Sequence, residues 1–283
     1  MEVLGSGSFG VVSRVEQQDT GKIFALKSIP VGKVKDPSVF QRELGIARRL
    51  KHPYIVTLHH TFQDREAYHL VMDFCEGGDF LKRMRATLRD RGPGRQAMGG
   101  LSTSETVQYL GQMLKGIAYL HNYQLAHRDV KPENYLLVGS EPSADLRLID
   151  FGLARYFEAG KRMYSKVGSV SYVAPEVVTG SDGYDAKCDI WSVGATACVM
   201  AVARKPFAGD NVSEYIRTIN RAGGMVFDYH WARHPQCLKD VIAKLMAKSP
   251  ANRPGAAELL QTAEWKHLEA ASGNGCNGCC TVQ

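Results

Sequence analysis

The sequence predicts an α+β fold in two lobes, a small N-terminal antiparallel sheet with one helix and a larger helical C-terminal lobe. Three observations predict it. Strand-like runs occupy the first thirty residues and return at Ala67–Phe74 around a single helix, helical apolar spacing dominates beyond residue 100, and Glu76-Gly77-Gly78 separates the two textures. The 283 residues, 44% of them hydrophobic, can fill a core of that size. The expected boundaries are 1–268 for the domain, divided at about 1–75 and 76–268, and 269–283 for a flexible tail rich in Gly, Asn and Cys.

Val11, Val12 and Val15 follow a Gly-rich turn, and Ile23-Phe24-Ala25-Leu26 follows the turn signal Asp19-Thr20-Gly21, which predicts an antiparallel hairpin. Asp36-Pro37 supplies an N-cap and a first-turn proline for a helix, whose Phe40, Leu44, Ala47 and Leu50 form one buried face. Ala67 to Phe74 reads as a further strand, and Gly92 to Gly100 as a surface loop. Ser102 with Glu105 makes a capping box, from which Val107, Leu110, Leu114 and Ile117 carry an amphipathic helix to about His121. Further helices are expected over Asp185–Ala203, Val212–Ala222, Leu238–Lys248 and Ala256–His267.

Composition excludes several classes. Apolar and aromatic residues are too plentiful for a disordered chain. The longest near-apolar stretch, Ile190 to Ala203, runs about 14 residues and contains Ser, Gly and Thr, short of the ~18–20 that span a bilayer. No apolar segment follows Met1-Glu2, so a secretory signal is not expected and a cytoplasmic protein is. Seven cysteines, an odd number in a chain this long, do not make a disulfide framework.

Gly5-Ser6-Gly7-Ser8-Phe9-Gly10 fits G-x-G-x-x-G. Such a run can be a plain hairpin turn, a dinucleotide fingerprint or a phosphate-covering loop. A dinucleotide fold would place it between a strand and a helix, whereas here strands flank it and Val12 follows. Lacking Cβ atoms, its glycines let backbone approach phosphate oxygens. Lys27 closes the apolar run Phe24-Ala25-Leu26. It reads either as a strand-end charge in solvent or as a cation aimed into a cleft and held by Glu43, which borders the apolar stripe of the Asp36 helix.

His127-Arg128-Asp129-Val130-Lys131-Pro132-Glu133-Asn134, then Asp150-Phe151-Gly152, then Ala174-Pro175-Glu176 follow in order. With the glycine run and Lys27 they resemble the signature set of the eukaryotic protein kinase family, of serine/threonine type, over about Val3 to Trp265. The resemblance implies the bilobal protein-kinase fold and transfer of the ATP γ-phosphate, with ATP and Mg²⁺ as cofactors and proteins as substrates. By the same resemblance Asp129 orients the substrate hydroxyl, and Lys131 stabilises the transferring group. Asn134 and Asp150 hold Mg²⁺, while Lys27, aligned by Glu43, binds the α- and β-phosphates.

The hinge is implied at Asp73-Phe74-Cys75, with Met72 behind the adenine and Val12 and Ala25 lining its site. Asp79 and Glu133 match acidic positions that favour basic substrates, although Asp79 could simply cap the next helix. Asp189 resembles the buried support of the catalytic loop, and Arg253 the partner of Glu176. Ala174-Pro175-Glu176 weighs against a small-molecule kinase, and the intact Lys27, Glu43, Asp129, Asn134 and Asp150 against a catalytically silent scaffold.

Tyr172-Val173-Ala174-Pro175-Glu176 and Lys187-Cys188-Asp189-Ile190-Trp191-Ser192 are most similar to the calcium/calmodulin-dependent and calcium-dependent protein kinase group. The chain departs from that group at Ser169, where threonine is usual, at Ala203, where glycine is usual, and in having no D-x-[DN]-x-[DN]-G loop, so no intrinsic calcium binding is expected. Arg128 is a cation seeking an anion, and Ser165 is the expected site for an activating phosphate, ahead of Tyr164 and Ser169. Six basic residues between Lys82 and Arg95 read as a solvated helix and loop face; without interleaved aromatics, no nucleic-acid partner is expected. Cys280-Thr281-Val282-Gln283 fits C-a-a-X loosely. A prenylated Cys280 with palmitoylated Cys276 and Cys279 would supply the two lipid signals that membrane association needs.

Overall fold

A computed structural model describes residues 2–7, 10–34, 36–90, 99–158, 160–180, 182–209 and 211–273. Two compact units emerge, Met1–Gly78 with Leu136–Gly152, and Asp79–Tyr135 with Leu153–Gln283. Ser8, Phe9, residues 91–98 and the tail cysteines Cys276, Cys279 and Cys280 lie outside the described residues.

The first unit is a five-stranded antiparallel sheet in the order β1-β2-β3-β5-β4, made of β1 (Glu2–Gly7), β2 (Gly10–Glu16), β3 (Ile23–Pro30), β4 (Leu58–Gln63) and β5 (Ala67–Asp73). Helix α1 (Pro37–Ala47) begins as expected, with Asp36 accepting from the amides of Ser38 at 2.9 Å and Val39 at 3.2 Å. Ile29, Leu44, Leu58 and Leu70 join sheet to helix in one core, against which Phe40, Tyr68 and Met72 pack. Gly10 takes φ +143°, and a Cβ there would stand 2.0 Å from the Ser28 carbonyl oxygen, so only glycine fits this strand crossing. Strand β4, Leu-His-His-Thr-Phe-Gln, carries no clean alternation and was not anticipated.

Leu136–Gly152 joins the first unit although the expected division gave it to the C-terminal lobe. Backbone pairing explains this. Within it the short strand Leu146–Leu148 places Leu148 N–H on the Tyr54 carbonyl at 2.9 Å, and Val56 N–H returns to the Leu148 carbonyl at 3.0 Å. The carbonyls of Val138 and Leu137 accept from Glu76 and Gly77 at 2.9 and 3.0 Å.

The second unit is mostly helical, with α2 (Phe80–Asp90), α3 (Thr103–Asn122), α4 (Pro175–Thr179), α5 (Lys187–Val202), α6 (Val212–Ala222), α7 (Gln236–Leu245), α8 (Ala256–Gln261) and α9 (Ala263–Gly273). The capping box forms as read, Ser102 Oγ accepting from Glu105 N–H and Glu105 from Ser102 N–H. Helix α5 is buried all round from Cys188 to Val202, which is why it has no polar face in the sequence. Gly194 lets it pass against Met246, where a Cβ would stand 2.5 Å from Cγ.

Helix ends shift by a few residues, as at Gln236–Leu245 where Leu238–Lys248 was expected, and two larger departures stand near the C-terminus. The single helix over Ala256–His267 is two helices, because Thr262 is extended and its hydroxyl accepts from Trp265 N–H at 3.1 Å, capping α9 instead of continuing α8. The flexible tail expected from residue 269 is also corrected. Helix α9 runs to Gly273, anchored by the buried Trp265 and Leu268.

Candidate active site

In the second unit the site rests on one buried carboxylate. Asp189, in the first turn of α5, accepts from the backbone N–H groups of His127 at 2.9 Å and Arg128 at 2.7 Å, and from His121 Nε2 at 2.9 Å. Burial pushes its carboxyl upward, but the bond from His121, the nearby His127 and the Arg128 amide outweigh that and hold it below the usual range. These bonds fasten Arg128 in the left-handed region at φ 68°, a conformation that costs about 1–2 kcal/mol for a residue with a Cβ.

The loop so anchored gathers four side chains. Lys131 Nζ donates to Asp129 Oδ2 at 2.7 Å and to Ser169 Oγ at 2.8 Å, while Ser169 Oγ donates to Asp129 Oδ1 at 2.9 Å. Asn134 Nδ2 donates to the Asp129 carbonyl at 2.7 Å and to its carboxylate at 3.1 Å. Burial raises the Asp129 carboxyl, yet Lys131, Ser169 and Asn134 together bring it below its ordinary value. Asp129 is therefore an anion at neutral pH, able to accept and orient a hydroxyl proton. In the sequence Ser169 reads as a departure from threonine and a lesser candidate for phosphorylation. Its contact with Asp129 spans 40 residues and has no signal in the sequence.

Arg128 turns its guanidinium to neutral oxygens, Nε donating to the Leu153 carbonyl at 2.6 Å and Nη1 to Tyr184 Oη at 3.1 Å. Tyr184 in turn donates to the Ser165 carbonyl at 2.7 Å, whereas the Ser165 hydroxyl faces Arg155 at 3.4 Å. Arg253 binds Glu176 with both terminal nitrogens, at 2.6 and 2.8 Å. Asp79 caps α2 by accepting from Lys82 N–H at 2.8 Å, the helix-cap role that was one of its two readings. Glu133 is exposed beside Tyr172.

The first unit holds the other expected residues. Gly5, Ser6 and Gly7 lie on β1 opposite Val12, Val11 and Gly10 of β2, and Val12 faces Lys27 across β2 and β3. Ala25 sits opposite Met72 in β5. Glu43 is half-buried, and burial, then the Asp150 charge, push its carboxyl up to about 7 against the opposing pull of Lys27. Lys27, Glu43 and Asp150 thus share one electrostatic neighbourhood. The Cys75 thiol is buried and raised to about 11. Asp73 bonds Thr57, His59 and Arg147, contacts that sequence reading missed.

The two residues expected to hold Mg²⁺ lie one in each unit, and each by itself offers a donor that suits the ion. Asp150 is an exposed carboxylate held at φ 66°, with one oxygen accepting from Gly152 N–H. Both bonds of Asn134 use its nitrogen, which leaves its amide oxygen uncommitted by them. Hard oxygens of these two kinds are what the ion takes from a protein when phosphates complete its shell.

A family profile described as Protein kinase domain matches residues 1–265. The chain is 32% identical over 279 residues to Calcium-dependent protein kinase 4 of Plasmodium berghei (strain Anka), covering 97% of this chain and 50% of that protein. It is 34% identical over 264 residues to Calcium-dependent protein kinase 14 of Arabidopsis thaliana, covering 91% of this chain and 47% of that one. The chain spans about half the length of these curated relatives.

Proposed function

The chain belongs to the protein kinase family, and we propose that it transfers the terminal phosphoryl group of ATP to serine or threonine hydroxyls of protein substrates. The observation that carries this reading is the Asp129 carboxylate held between Lys131, Ser169 and Asn134. Asp129 orients the acceptor hydroxyl and takes its proton as the new P–O bond forms and the bond to the ADP oxygen breaks. Lys131 offsets charge on the transferring group, a cation set beside the base by its two bonds. Lys27 binds the α- and β-phosphates, with Glu43 as its carboxylate. Mg²⁺, held by Asn134 and Asp150, would supply neutralisation of phosphate charge. The acidic Glu133 and Asp79 favour substrates with basic residues near the acceptor.

The test is a peptide-array assay with purified protein and Mg·ATP, run beside Asp129→Asn. The variant is expected to lose at least ~100-fold in turnover and to keep its ATP affinity within a few-fold. An inactive parent protein, or a variant as fast as the parent, would sink the reading.

Regulation follows the same electrostatics. A phosphate on Ser165 would meet Arg155 and Arg128, which Tyr184 already links to the Ser165 backbone, and would order the segment. Ser165→Ala in fully phosphorylated enzyme should slow turnover; unchanged turnover refutes it. The relatives are named for calcium dependence. We place any calcium response of this protein outside an EF-hand loop in these 283 residues, which hold none. We further propose a cytoplasmic protein drawn to membranes by lipids on Cys280, Cys276 and Cys279. A Cys280→Ser variant that stays equally membrane-bound in cells would overturn this.

A further inference from the structure

Asp73 ends β5 and begins the Asp73-Phe74-Cys75 run. Its side chain ties three segments of the first unit together. Oδ2 accepts from Thr57 N–H at 2.9 Å and from Arg147 Nη1, and Oδ1 accepts from His59 Nε2 at 2.8 Å. The Asp73 amide completes the joint by donating to the Thr57 carbonyl at 3.1 Å. An ionised carboxylate only accepts, so the His59 proton sits on Nε2. Phe24, the cross-strand neighbour of Asp73, meets the His59 ring edge-on at 5.1 Å.

Arg147 is itself well placed. It stands on the short strand Leu146–Leu148, whose Leu148 is bonded on both sides to Tyr54 and Val56. Downstream of Cys75 the chain is pinned again, through the Glu76 and Gly77 amides on Val138 and Leu137, and a Cβ on Gly77 would stand 1.9 Å from the Gly139 carbonyl oxygen. Two fixed points therefore bracket Phe74 and Cys75, one a charge cluster and one a backbone pair.

Stability alone does not account for the charge cluster. The side chains of Asp73 and Arg147 are only 16% and 24% exposed, and apolar replacements of similar volume commonly serve as well or better for stability at such sites. Arg147 Nε is buried with no hydrogen-bond partner among the described residues, a further cost of the arrangement. What a guanidinium–carboxylate pair adds over apolar packing is a fixed direction and distance.

We propose that Arg147 and His59, acting through the Asp73 carboxylate, are positioning residues for the Asp73–Cys75 backbone and set the affinity for the adenine ring. This rests on the reading of Asp73–Cys75 as the adenine-binding hinge. Neither residue touches the reacting atoms, so the effect falls on nucleotide binding and not on phosphoryl transfer at saturation.

The experiment uses the full chain with Arg147→Met, Arg147→Lys, His59→Phe, which keeps the contact with Phe24, and Asp73→Asn alone and combined with Arg147→Met. Rates are measured against ATP, and binding is measured for adenosine and for inorganic tripolyphosphate. KM for ATP is expected to rise about tenfold in Arg147→Met and about threefold in His59→Phe, with kcat within twofold. Adenosine affinity should fall by the same factors while tripolyphosphate affinity holds. Arg147→Lys should recover part of the loss, and the double variant should be weaker than Asp73→Asn by less than twofold, since both changes break one link. The inference is overturned if KM stays within twofold in the single variants, if adenosine and tripolyphosphate weaken together, or if the effects of Asp73→Asn and Arg147→Met multiply. Should Arg147→Met fail to fold, His59→Phe decides by the same criteria. If adenosine does not compete with ATP on the parent protein, it is the hinge reading that fails.

Discussion

Replacing Glu43 by glutamine should make the protein more stable and a poorer enzyme. Burial and the Asp150 charge raise the Glu43 carboxyl from 4.5 to about 7. A carboxyl whose folded value lies above its unfolded one contributes fully below about pH 4.5 and loses that contribution as the pH rises through about 7. At about 1.36 kcal/mol for each tenfold in proton affinity, the ceiling is ~3.4 kcal/mol. Water reaches much of the side chain, and screening reduces the expected effect to ~1–2 kcal/mol. Glutamine keeps the shape and never ionises. Urea unfolding of the two proteins should therefore coincide near pH 4.5, diverge in favour of Glu43→Gln between there and pH 7, and run parallel above pH 8. Above about pH 7, where Glu43 is ionised, kcat/KM of the variant should fall about tenfold or more, because Lys27 loses an anion beside it, and the deficit should shrink as the pH drops below that value. A stability difference that ignores pH, or a variant less stable at pH 8, would refute the reasoning.

Arg253→Met strands Glu176 and empties a fully buried site that also bonds the Ala247, Lys187 and Lys248 carbonyls and stacks on Trp191 at 5.0 Å. Equilibrium denaturation should show a loss of ~3–5 kcal/mol. Ala203 caps α5 at φ 54°, where a Cβ is unwelcome, so Ala203→Gly should gain ~0.5–1 kcal/mol in the same measurement. Asp64, bonded to the Glu66 and Ala67 amides and to His69, is held down at about 2. Its contribution is present above 3.8 and lost as the pH falls toward 2, so the gap in urea midpoint between the parent and Asp64→Asn should close over that interval.

The loop proposed as catalytic stood out because the chemistry expected of it needs its residues close together in the chain, from His127 to Asn134. Glu43 could be read as the partner of Lys27 since a glutamate beside an apolar stripe needs a reason. Contacts made at long range by ordinary residues left no such trace. Ser169 reaches Asp129 across 40 residues, and Arg147 reaches Asp73 across 74. The polar run of β4 concealed His59, because an edge strand half open to water need not alternate. Thr262 hid a helix break inside an apolar period, where a hydroxyl competes with the backbone for the next amide.

The bond from Asp189 to the loop amides has a consequence for motion. Loops that do chemistry usually open and close more readily than the core beneath them. Here the amides of His127 and Arg128 end on a carboxylate that is wholly buried in the first turn of α5. Their protons should exchange with solvent on the timescale of global unfolding, as slowly as those of the helix interior. The loop holding Asp129 would then have no partly open state of its own, and heat would disorder it only at the temperature where the second unit melts.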